Sequence, residues 1–171
     1  SAKERIFKNQ RRSDYAVLNL DDPIVRDMRG KTNARIYWFS SIERPRRGVF
    51  LEGLTALFRD GVGGEEEFSL GAVKSPAVMH ENIMAAILAT KLCGVGKAAI
   101  QQAIISFKGL PHRCEWVAEK GGVGYYDDSK GTNVGAVVRA LQSFDPPIIL
   151  IAGGRDKGGS YAPLRPLIEG K

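Results

Sequence analysis

The stretch Asp127–Gly154, "DDSKGTNVGAVVRALQSFDPPIILIAGG", decides the fold class of this chain. Residues 132–144 carry a helical apolar pattern, and Thr132 or Asn133 is suited to cap its N-terminus. Residues 146–154 form an apolar run that ends in glycines, which predicts a buried strand. A helix followed by a buried strand and a glycine-rich loop indicates a parallel, Rossmann-like α/β unit.

The residues on either side extend this unit. Residues 114–129 alternate around Gly121–Gly122, which predicts a β-hairpin, and residues 160–170 begin another helix. Roughly two strand–helix units are too few to cover both faces of an open sheet. We therefore expect the chain to be a segment of a longer protein.

The N-terminal part of the chain predicts strands followed by helices. Asp22 and Pro23 have the residue types of an N-cap and a first helical position, which indicates a short helix. Pro76 and Gly94 bound an apolar helical pattern, and Gly109 ends a second one. The predicted strands cover residues 15–22, 34–40, 48–61 (a hairpin) and 65–70, and the two longer helices cover residues 75–94 and 95–109.

The segment 109–113, "GLPHR", is typical of a linker because glycine and proline punctuate it. Two consecutive helices precede it, which is how a domain of strands and helices commonly ends. We therefore predict one domain over residues 1–109 and another over residues 110–171. Both carry α/β patterns.

The composition is that of a globular protein. Of the 171 residues, 43% are hydrophobic, and no apolar run approaches the ~18 residues of a membrane helix. Residues 1–12 are polar and basic without a signal segment, so we expect a cytoplasmic location. The net charge of +6 is concentrated in residues 1–60, which hold 13 Lys and Arg against 8 Asp and Glu. Without interleaved aromatic residues, this favours a solvated basic face over a nucleic-acid site.

The cysteines indicate neither a disulfide framework nor a zinc site. Cys93 and Cys114 lie outside any C-x-x-C motif, and His80 and His112 are not at ligand spacing to them. We expect both thiols to be buried and free.

Two short stretches look like a phosphate loop by chance. Residues 30–32 read G-K-T, but Val25 stands where the loop needs its first glycine. Residues 94–98 lack the serine or threonine that would hold magnesium. If the protein uses ATP, its main triphosphate cradle therefore lies outside this chain.

The stretch "YYDDSKGTN", Tyr125–Asn133, combines charged and helix-capping groups. Asp128 can accept hydrogen bonds from a ribose diol, and Lys130 can neutralise a phosphate or carboxylate near the following helix N-terminus. The alternative is a capped helix with solvated charges, which is the interpretation we give to Asp127.

Two further cationic residues are candidates for ligand contact. Lys157 lies in the glycine-rich segment 152–161, after the predicted strand, where open α/β sheets bind ligands. Arg113 lies at the predicted domain junction, from which an arginine can reach a ligand held between domains. The alternatives are a flexible loop at 152–161 and a surface salt bridge for Arg113.

The segments "GLPHR", "DDSKGTN" and "IILIAGGRDKGG", in this order, resemble the Mur ligases. The form D-S-K-x-T-N is similar to the D-glutamate-adding branch of that family. Residues 3–23 resemble the later part of its central ATPase domain. The resemblance implies the end of a central ATPase-type α/β domain over residues 1–109 and the start of a Rossmann-like C-terminal ligase domain over residues 110–171.

The resemblance also implies a reaction. ATP, with Mg2+, phosphorylates the carboxylate of UDP-N-acetylmuramoyl-L-alanine, and the amine of D-glutamate attacks the acyl phosphate. The products are the amide, ADP and phosphate, in the synthesis of a peptidoglycan precursor. The phosphate loop and the magnesium ligands are expected outside this chain, which we expect to be inactive by itself. Such chemistry requires positioning and charge neutralisation.

Matching positions to the family implies roles for six residues. They comprise nucleotide contacts by Asn82 (at the adenine), Arg113 and Asp128 (through the ribose), a catalytic role for Lys130, and substrate contacts by Thr132 and Lys157. The chain departs from the family at Val78 and Met79, where the family usually has His-Asn.

Two other functions stay open. A different Mur ligase or a folylpolyglutamate synthase is disfavoured by the lysine of D-S-K and by the "GGRDKGG" loop. A non-catalytic nucleotide- or RNA-binding module would use the basic first third of the chain, and its binding to RNA would depend on salt.

Overall fold

The structure, a computed structural model, describes residues 2–73, 79–144, 147–156 and 158–169. The chain divides into two compact units, with the division between Phe107 and Lys108. The first unit contains a five-stranded sheet and helices, and the second contains a two-stranded hairpin and helices. The chain is therefore of the mixed α/β class.

A mixed β-sheet forms the centre of the first unit. The strands lie in sequence order across the sheet; the first two neighbouring pairs are parallel and the last two are antiparallel. Every strand falls within a range predicted from alternation and β-branched or aromatic content. The strands are β1 Tyr15–Asn19, β2 Arg35–Ser40, β3 Gly48–Glu52, β4 Thr55–Arg59 and β5 Glu65–Ser69.

The described part of the first unit contains three α-helices. They are α1 Pro23–Asp27, α2 His80–Leu92 and α3 Lys97–Ser106, with 3-10 turns at Ala2–Phe7 and Met28–Lys31. Asp22 caps α1 as predicted, because its carboxylate accepts hydrogen bonds from the backbone N–H groups of Ile24 and Val25. The predicted opening of α2 at Pro76 lies outside the described residues. No helix in the described ranges combines the length and apolar character needed to cross a membrane.

The core of the first unit lies between α2, α3 and one face of the sheet. Ile83, Met84, Ile87 and Leu88 recur at helical spacing on α2 and are all buried. Each buried apolar side chain of this size stabilises the fold by about 1.5–3 kcal/mol, so this contact fixes α2 on the sheet. The other buried members are Val49, Ala56, Phe58, Phe68, Leu70, Ile100 and Ile104.

A hairpin of two antiparallel strands, β6 Glu115–Lys120 and β7 Val123–Asp127, opens the second unit. Its turn is at Gly121–Gly122, as predicted. Both glycines have positive φ, +62° and +76°, the backbone that a tight two-residue hairpin turn requires. The register shifts between Trp116 and Ala118, so β6 contains a bulge.

Helix α4, Val134–Gln142, follows the hairpin. Its N-cap is Asn133, whose side-chain oxygen accepts a hydrogen bond from the backbone N–H of Ala136 at 2.9 Å. This settles the choice left open between Thr132 and Asn133. The last described elements are a 3-10 turn, Ala162–Leu164, and a short helix, α5 Arg165–Glu169.

The predicted strand at residues 146–154 is wrong for the residues that the structure describes. Residues 147–154 have no regular secondary structure, and the side chains of Ile149 and Ile151 are 86% and 93% exposed. A strand requires a neighbour for its N–H and C=O groups. In the described part of the second unit, the only strand pairing is β6 with β7. Pro146 lies outside the described residues.

Candidate functional site

Two segments of the second unit meet at the base of the hairpin. Residues 112–115 lead into β6, and residues 127–132 connect β7 to α4; we call them together the hairpin-base cluster. The backbone N–H of Cys114 donates to Oδ1 of Asp128 at 3.1 Å. The backbone N–H of Lys130 donates to the carbonyl oxygen of His112 at 3.1 Å. These bonds hold the two segments side by side.

A tight turn presents Asp128 and Lys130. The backbone N–H of Gly131 donates to the carbonyl oxygen of Asp128 at 2.7 Å. A Cβ at position 131 would collide with the Asp128 carboxylate, so only glycine lets that carboxylate stay where it is. The loop conformation therefore depends on the sequence "DDSKG".

The side chains of His112 and Asp127 are hydrogen-bonded to each other in this cluster. Nδ1 of His112 lies 2.7 Å from Oδ2 of Asp127, and Oδ1 of Asp127 accepts the backbone N–H of Ser129 at 2.8 Å. The His112 hydrogen bond, followed by those from Ser129, lowers the pKa of Asp127 to about 2. Asp127 is only half-buried, with a side chain that is 33% accessible, so it stays partly solvated as predicted, but it also bonds His112, which the sequence pattern does not predict. The reason is that His112, fifteen positions away, folds back onto it.

The backbone of the first segment is in an unusual conformation. His112 and Cys114 have φ values of +62° and +44°, which cost roughly 1–2 kcal/mol per non-glycine residue. The backbone N–H of His112 donates to Oε2 of Glu115 at 2.8 Å. Together with the bonds to the loop, this contact offsets the conformational cost.

Three groups of the cluster have the chemistry of metal ligands. His112, Glu115 and Asp127 bring ligand atoms within 4.8 Å of one another. The imidazole of His112 and the carboxylate of Asp127 are already bonded to each other, and the carboxylate of Glu115 accepts a hydrogen bond from the backbone N–H of His112. Because these groups satisfy one another, we assign no metal to them.

Cys114 and Asp128 lie against each other in the interior of the cluster. Cys114 is buried, and this burial, the Asp128 charge and a hydrogen bond to Asp128 raise the pKa of the thiol to about 11. The Asp128 carboxylate is half-buried, so part of it remains accessible to a further hydrogen-bond donor. The prediction of two buried free thiols is confirmed for Cys114 and wrong for Cys93, which is exposed at the C-cap of α2.

The remaining predicted site residues that the structure describes in the second unit carry exposed side chains. Arg113 lies between the two bonded residues His112 and Cys114, and Lys130 and Thr132 follow Asp128 in the loop. Because Asn133 caps α4, the Thr132 hydroxyl is not required for capping. The structure thus gathers four of the six predicted residues, namely Arg113, Asp128, Lys130 and Thr132, on two adjoining segments.

The other two predicted residues lie elsewhere. Asn82 is exposed in the first turn of α2, in the first unit. Lys157 lies outside the described residues, as does Val78. Met79 is the N-cap of α2 and makes no side-chain capping bond. The roles predicted for Asn82 and Lys157 stay predictions.

The contacts of His112, Cys114 and Glu115 do not follow from the sequence pattern. A regular hairpin turned at Gly121–Gly122 would pair Glu115 with Asp128. The bulge in β6 pairs Glu115 with Asp127 instead. The hairpin pattern alone therefore brings the correct segments together, whereas the bulge decides which aspartate faces His112.

Comparison with solved structures identifies the class of fold. A crystal structure of MurF from Acinetobacter baumannii matches 84% of this chain and 32% of its own length, with a TM-score of 0.57 at 18% sequence identity. At this identity the likeness concerns the fold, which is that of a Mur ligase. No family profile matches the chain.

Comparison with curated sequences is more specific. The chain is 49% identical to the UDP-N-acetylmuramoylalanine–D-glutamate ligase of Geotalea daltonii over 169 residues. It is 42% identical to the ligase of the same name from Syntrophus aciditrophicus and 39% identical to that from Lachnospira eligens. The first two matches cover 98% and 99% of this chain but 37% and 38% of the relatives' length. The chain is therefore a homologue of a segment of these D-glutamate ligases and spans little more than a third of their length.

Proposed function

We propose that this chain is part of an ATP-dependent ligase that joins D-glutamate to UDP-N-acetylmuramoyl-L-alanine through an acyl phosphate, in the cytoplasmic synthesis of a peptidoglycan precursor. The observation that carries the proposal is the 49% identity to such a ligase along 98% of the chain. The first unit then corresponds to the end of the central ATP-binding domain, and the second to the start of the Rossmann-like C-terminal domain, with the boundary near residues 109–110.

In this proposal, Arg113 and Asp128 hold the nucleotide. The half-buried Asp128 carboxylate is fixed on one side by the Cys114 N–H, and its accessible part accepts hydrogen bonds from a ribose diol. Arg113 lies on the adjoining segment with an exposed guanidinium, which suits a phosphate. Asn82 would contact the adenine from the first turn of α2.

Lys130 and Thr132 would act toward the acyl phosphate and the amino-acid substrate. Lys130 is exposed two positions after Asp128, where its ammonium can neutralise developing phosphoryl charge. Thr132 precedes the α4 N-terminus, whose first N–H groups favour a carboxylate. Lys157 would add a second positive charge toward the substrate.

ATP and Mg2+ are the cofactors that the proposal requires. The residues present fit a nucleoside, because a half-buried carboxylate and an exposed arginine lie on two segments that are bonded to each other. Mg2+ would screen phosphate charge during phosphoryl transfer. Its ligands and the triphosphate cradle are expected outside this chain.

The proposal is tested with the full-length protein that contains this segment. Supplied with ATP, Mg2+, UDP-N-acetylmuramoyl-L-alanine and D-glutamate, it should release ADP and phosphate only when both substrates are present. Arg113→Ala and Asp128→Ala should raise the KM for ATP, whereas Lys120→Ala, which removes an exposed charge from the same hairpin, should not. Release of ADP with a folate polyglutamate acceptor instead, or salt-dependent RNA binding without ligase activity, would contradict the proposal.

A further inference from the structure

The two residues that pair at the hairpin base each stand next to a proposed nucleotide ligand. His112 precedes Arg113, and Asp127 precedes Asp128. Nδ1 of His112 and Oδ2 of Asp127 lie 2.7 Å apart, so this side-chain contact joins the two segments that carry the ligands, together with the contact of Cys114 with Asp128. We propose that His112 and Asp127 are positioning residues that fix the spacing of Arg113 and Asp128 for nucleotide binding. This inference rests on the proposed function.

The conformation of His112 explains why such a contact is needed. Its φ of +62° is unfavourable for a residue other than glycine, so the first segment would relax without external bonds. Relaxation would turn the backbone directly before Arg113. The imidazole contact to Asp127 and the carbonyl contact to the Lys130 N–H oppose this change.

Asp127 acts on the second segment in the same way. One carboxylate oxygen receives the His112 ring, and the other receives the backbone N–H of Ser129. The latter bond begins the turn in which Asp128 and Lys130 are presented. Asp127 therefore links the position of the first segment to the shape of the loop that holds Asp128.

The pair is close to solvent but not fully exposed. The side chains of His112 and Asp127 are 52% and 33% accessible, and the pair lies beside the buried Cys114. A fully exposed ion pair of this kind contributes little. This pair instead joins two backbone segments, so its loss changes geometry as well as charge.

The test uses the full-length ligase and four variants: His112→Ala, His112→Asn, Asp127→Ala and the double alanine variant. Both single alanine variants should raise the KM for ATP about tenfold, in line with the loss of a charge-assisted hydrogen bond. We expect kcat to change by less than about threefold, because neither residue touches the reacting atoms. The KM for D-glutamate should stay unchanged. Glu119→Ala, an exposed carboxylate on the same hairpin, is the matched control.

Two further readouts separate positioning from a general loss of structure. His112→Asn should restore most of the ATP affinity, because the asparagine amide can donate near the position of Nδ1 and asparagine tolerates the left-handed backbone. The double alanine variant should be no worse than Asp127→Ala, since Asp127→Ala already removes the contact to His112 as well as the bond to Ser129. Melting temperatures of all variants show whether the fold persists.

The outcomes distinguish the inference from the proposed function. Suppose that Arg113→Ala and Asp128→Ala raise the KM for ATP, but that the His112 and Asp127 variants have the same KM for ATP as Glu119→Ala. The inference is then wrong and the proposed function stands. The inference is also wrong if His112→Asn is as impaired as His112→Ala at an unchanged melting temperature. If the wild-type protein does not release ADP with both substrates, the proposed function falls and the inference falls with it.

Discussion

The backbone N–H of Cys114 donates to Oδ1 of Asp128 over 3.1 Å, and the Cys114 thiol is buried against the same carboxylate. A proposed ribose ligand is therefore positioned by a residue fourteen places earlier in the chain. The contact also affects Cys114, because the negative charge of the Asp128 carboxylate disfavours ionisation of the thiol to the thiolate. The effect of Asp128 on Cys114 can therefore be measured from the rate at which the thiol reacts.

The first prediction concerns the reactivity of Cys114. With a pKa of about 11, only about one thiol in a thousand is ionised at pH 8. In a Cys93→Ala background, which removes the exposed thiol, modification by a disulfide reagent should be slow. Asp128→Asn should lower the pKa of Cys114 and speed the reaction, because it removes the negative charge and keeps the side-chain size.

The rate should be measured between pH 7 and 10, with Glu119→Gln as the charge control. Equal pH–rate profiles for Asp128→Asn and its parent would show that Asp128 does not act on the thiol. A melting curve for each variant checks that faster labelling does not come from unfolding.

The second prediction concerns the pH dependence of Asp127. Its pKa is about 2 in the folded protein and ~4 in an unfolded chain. A lowered folded-state pKa stabilises the fold fully above the unfolded value, and this stabilisation disappears as the pH falls from ~4 toward 2. Nuclear magnetic resonance titration of the Asp127 carboxyl should give a low midpoint, which His112→Ala should raise.

Acidification from pH 5 to pH 2 should also lower the free energy of unfolding less in Asp127→Asn than in the wild-type protein, because asparagine does not titrate. Denaturant unfolding of the second unit at pH 5, 4, 3 and 2 measures how the free energy of unfolding depends on pH in the wild-type protein and in the variant. A midpoint for Asp127 that is the same with and without His112 would contradict the hydrogen bond between the two side chains.

The third prediction separates Thr132 from Asn133. Asn133→Ala removes the hydrogen bond to the Ala136 N–H and should lower the free energy of unfolding of the second unit by about 1 kcal/mol. Thr132→Ala should cost less than half of that, because Thr132 does not cap α4. Denaturant unfolding followed by circular dichroism measures both. Comparable losses for the two variants would mean that the cap is shared.

The fourth prediction concerns Gly48 at the start of β3. Its φ is +148°, and a Cβ at this position would collide with the carbonyl oxygen of Trp38 on the paired strand β2. Gly48→Ala should therefore destabilise the first unit by more than about 2 kcal/mol. Gly30→Ala is the control, because nothing lies within 4 Å of the added atom, and it should stay within about 0.5 kcal/mol. Thermal unfolding that is equal for both would refute the close approach of the two strands.

Most elements of the fold were predictable because they depend on local patterns. Asp22 and Pro23 mark the start of α1, and glycines at 121 and 122 mark the hairpin turn, since each supplies a backbone group or angle that the element needs. The strand predicted at 146–154 failed because a buried strand is defined by its neighbours. An apolar run indicates that its side chains favour burial. It does not supply the neighbouring strand with which its N–H and C=O groups would pair.

The residues of the candidate site could be predicted from the sequence, whereas the contacts between them could not. Asp128, Lys130 and Thr132 could be selected because charged and capping groups cluster before a helix. The hydrogen bond between His112 and Asp127 could not, because both the positive φ of His112 and the bulge in β6 arise from contacts between distant segments. The local pattern therefore does not distinguish Asp127 from a solvated charge.

By itself, the sequence determined the helices, the strands of the first unit and the hairpin, because caps, turns and residue spacing act over a few positions. Only the tertiary structure decided which aspartate meets His112 and which one meets Cys114. That choice depends on one extra residue in β6, which shifts the pairing of Glu115 from Asp128 to Asp127. A shift of one residue changes which side chain faces the partner segment, and no local pattern in the sequence encodes it.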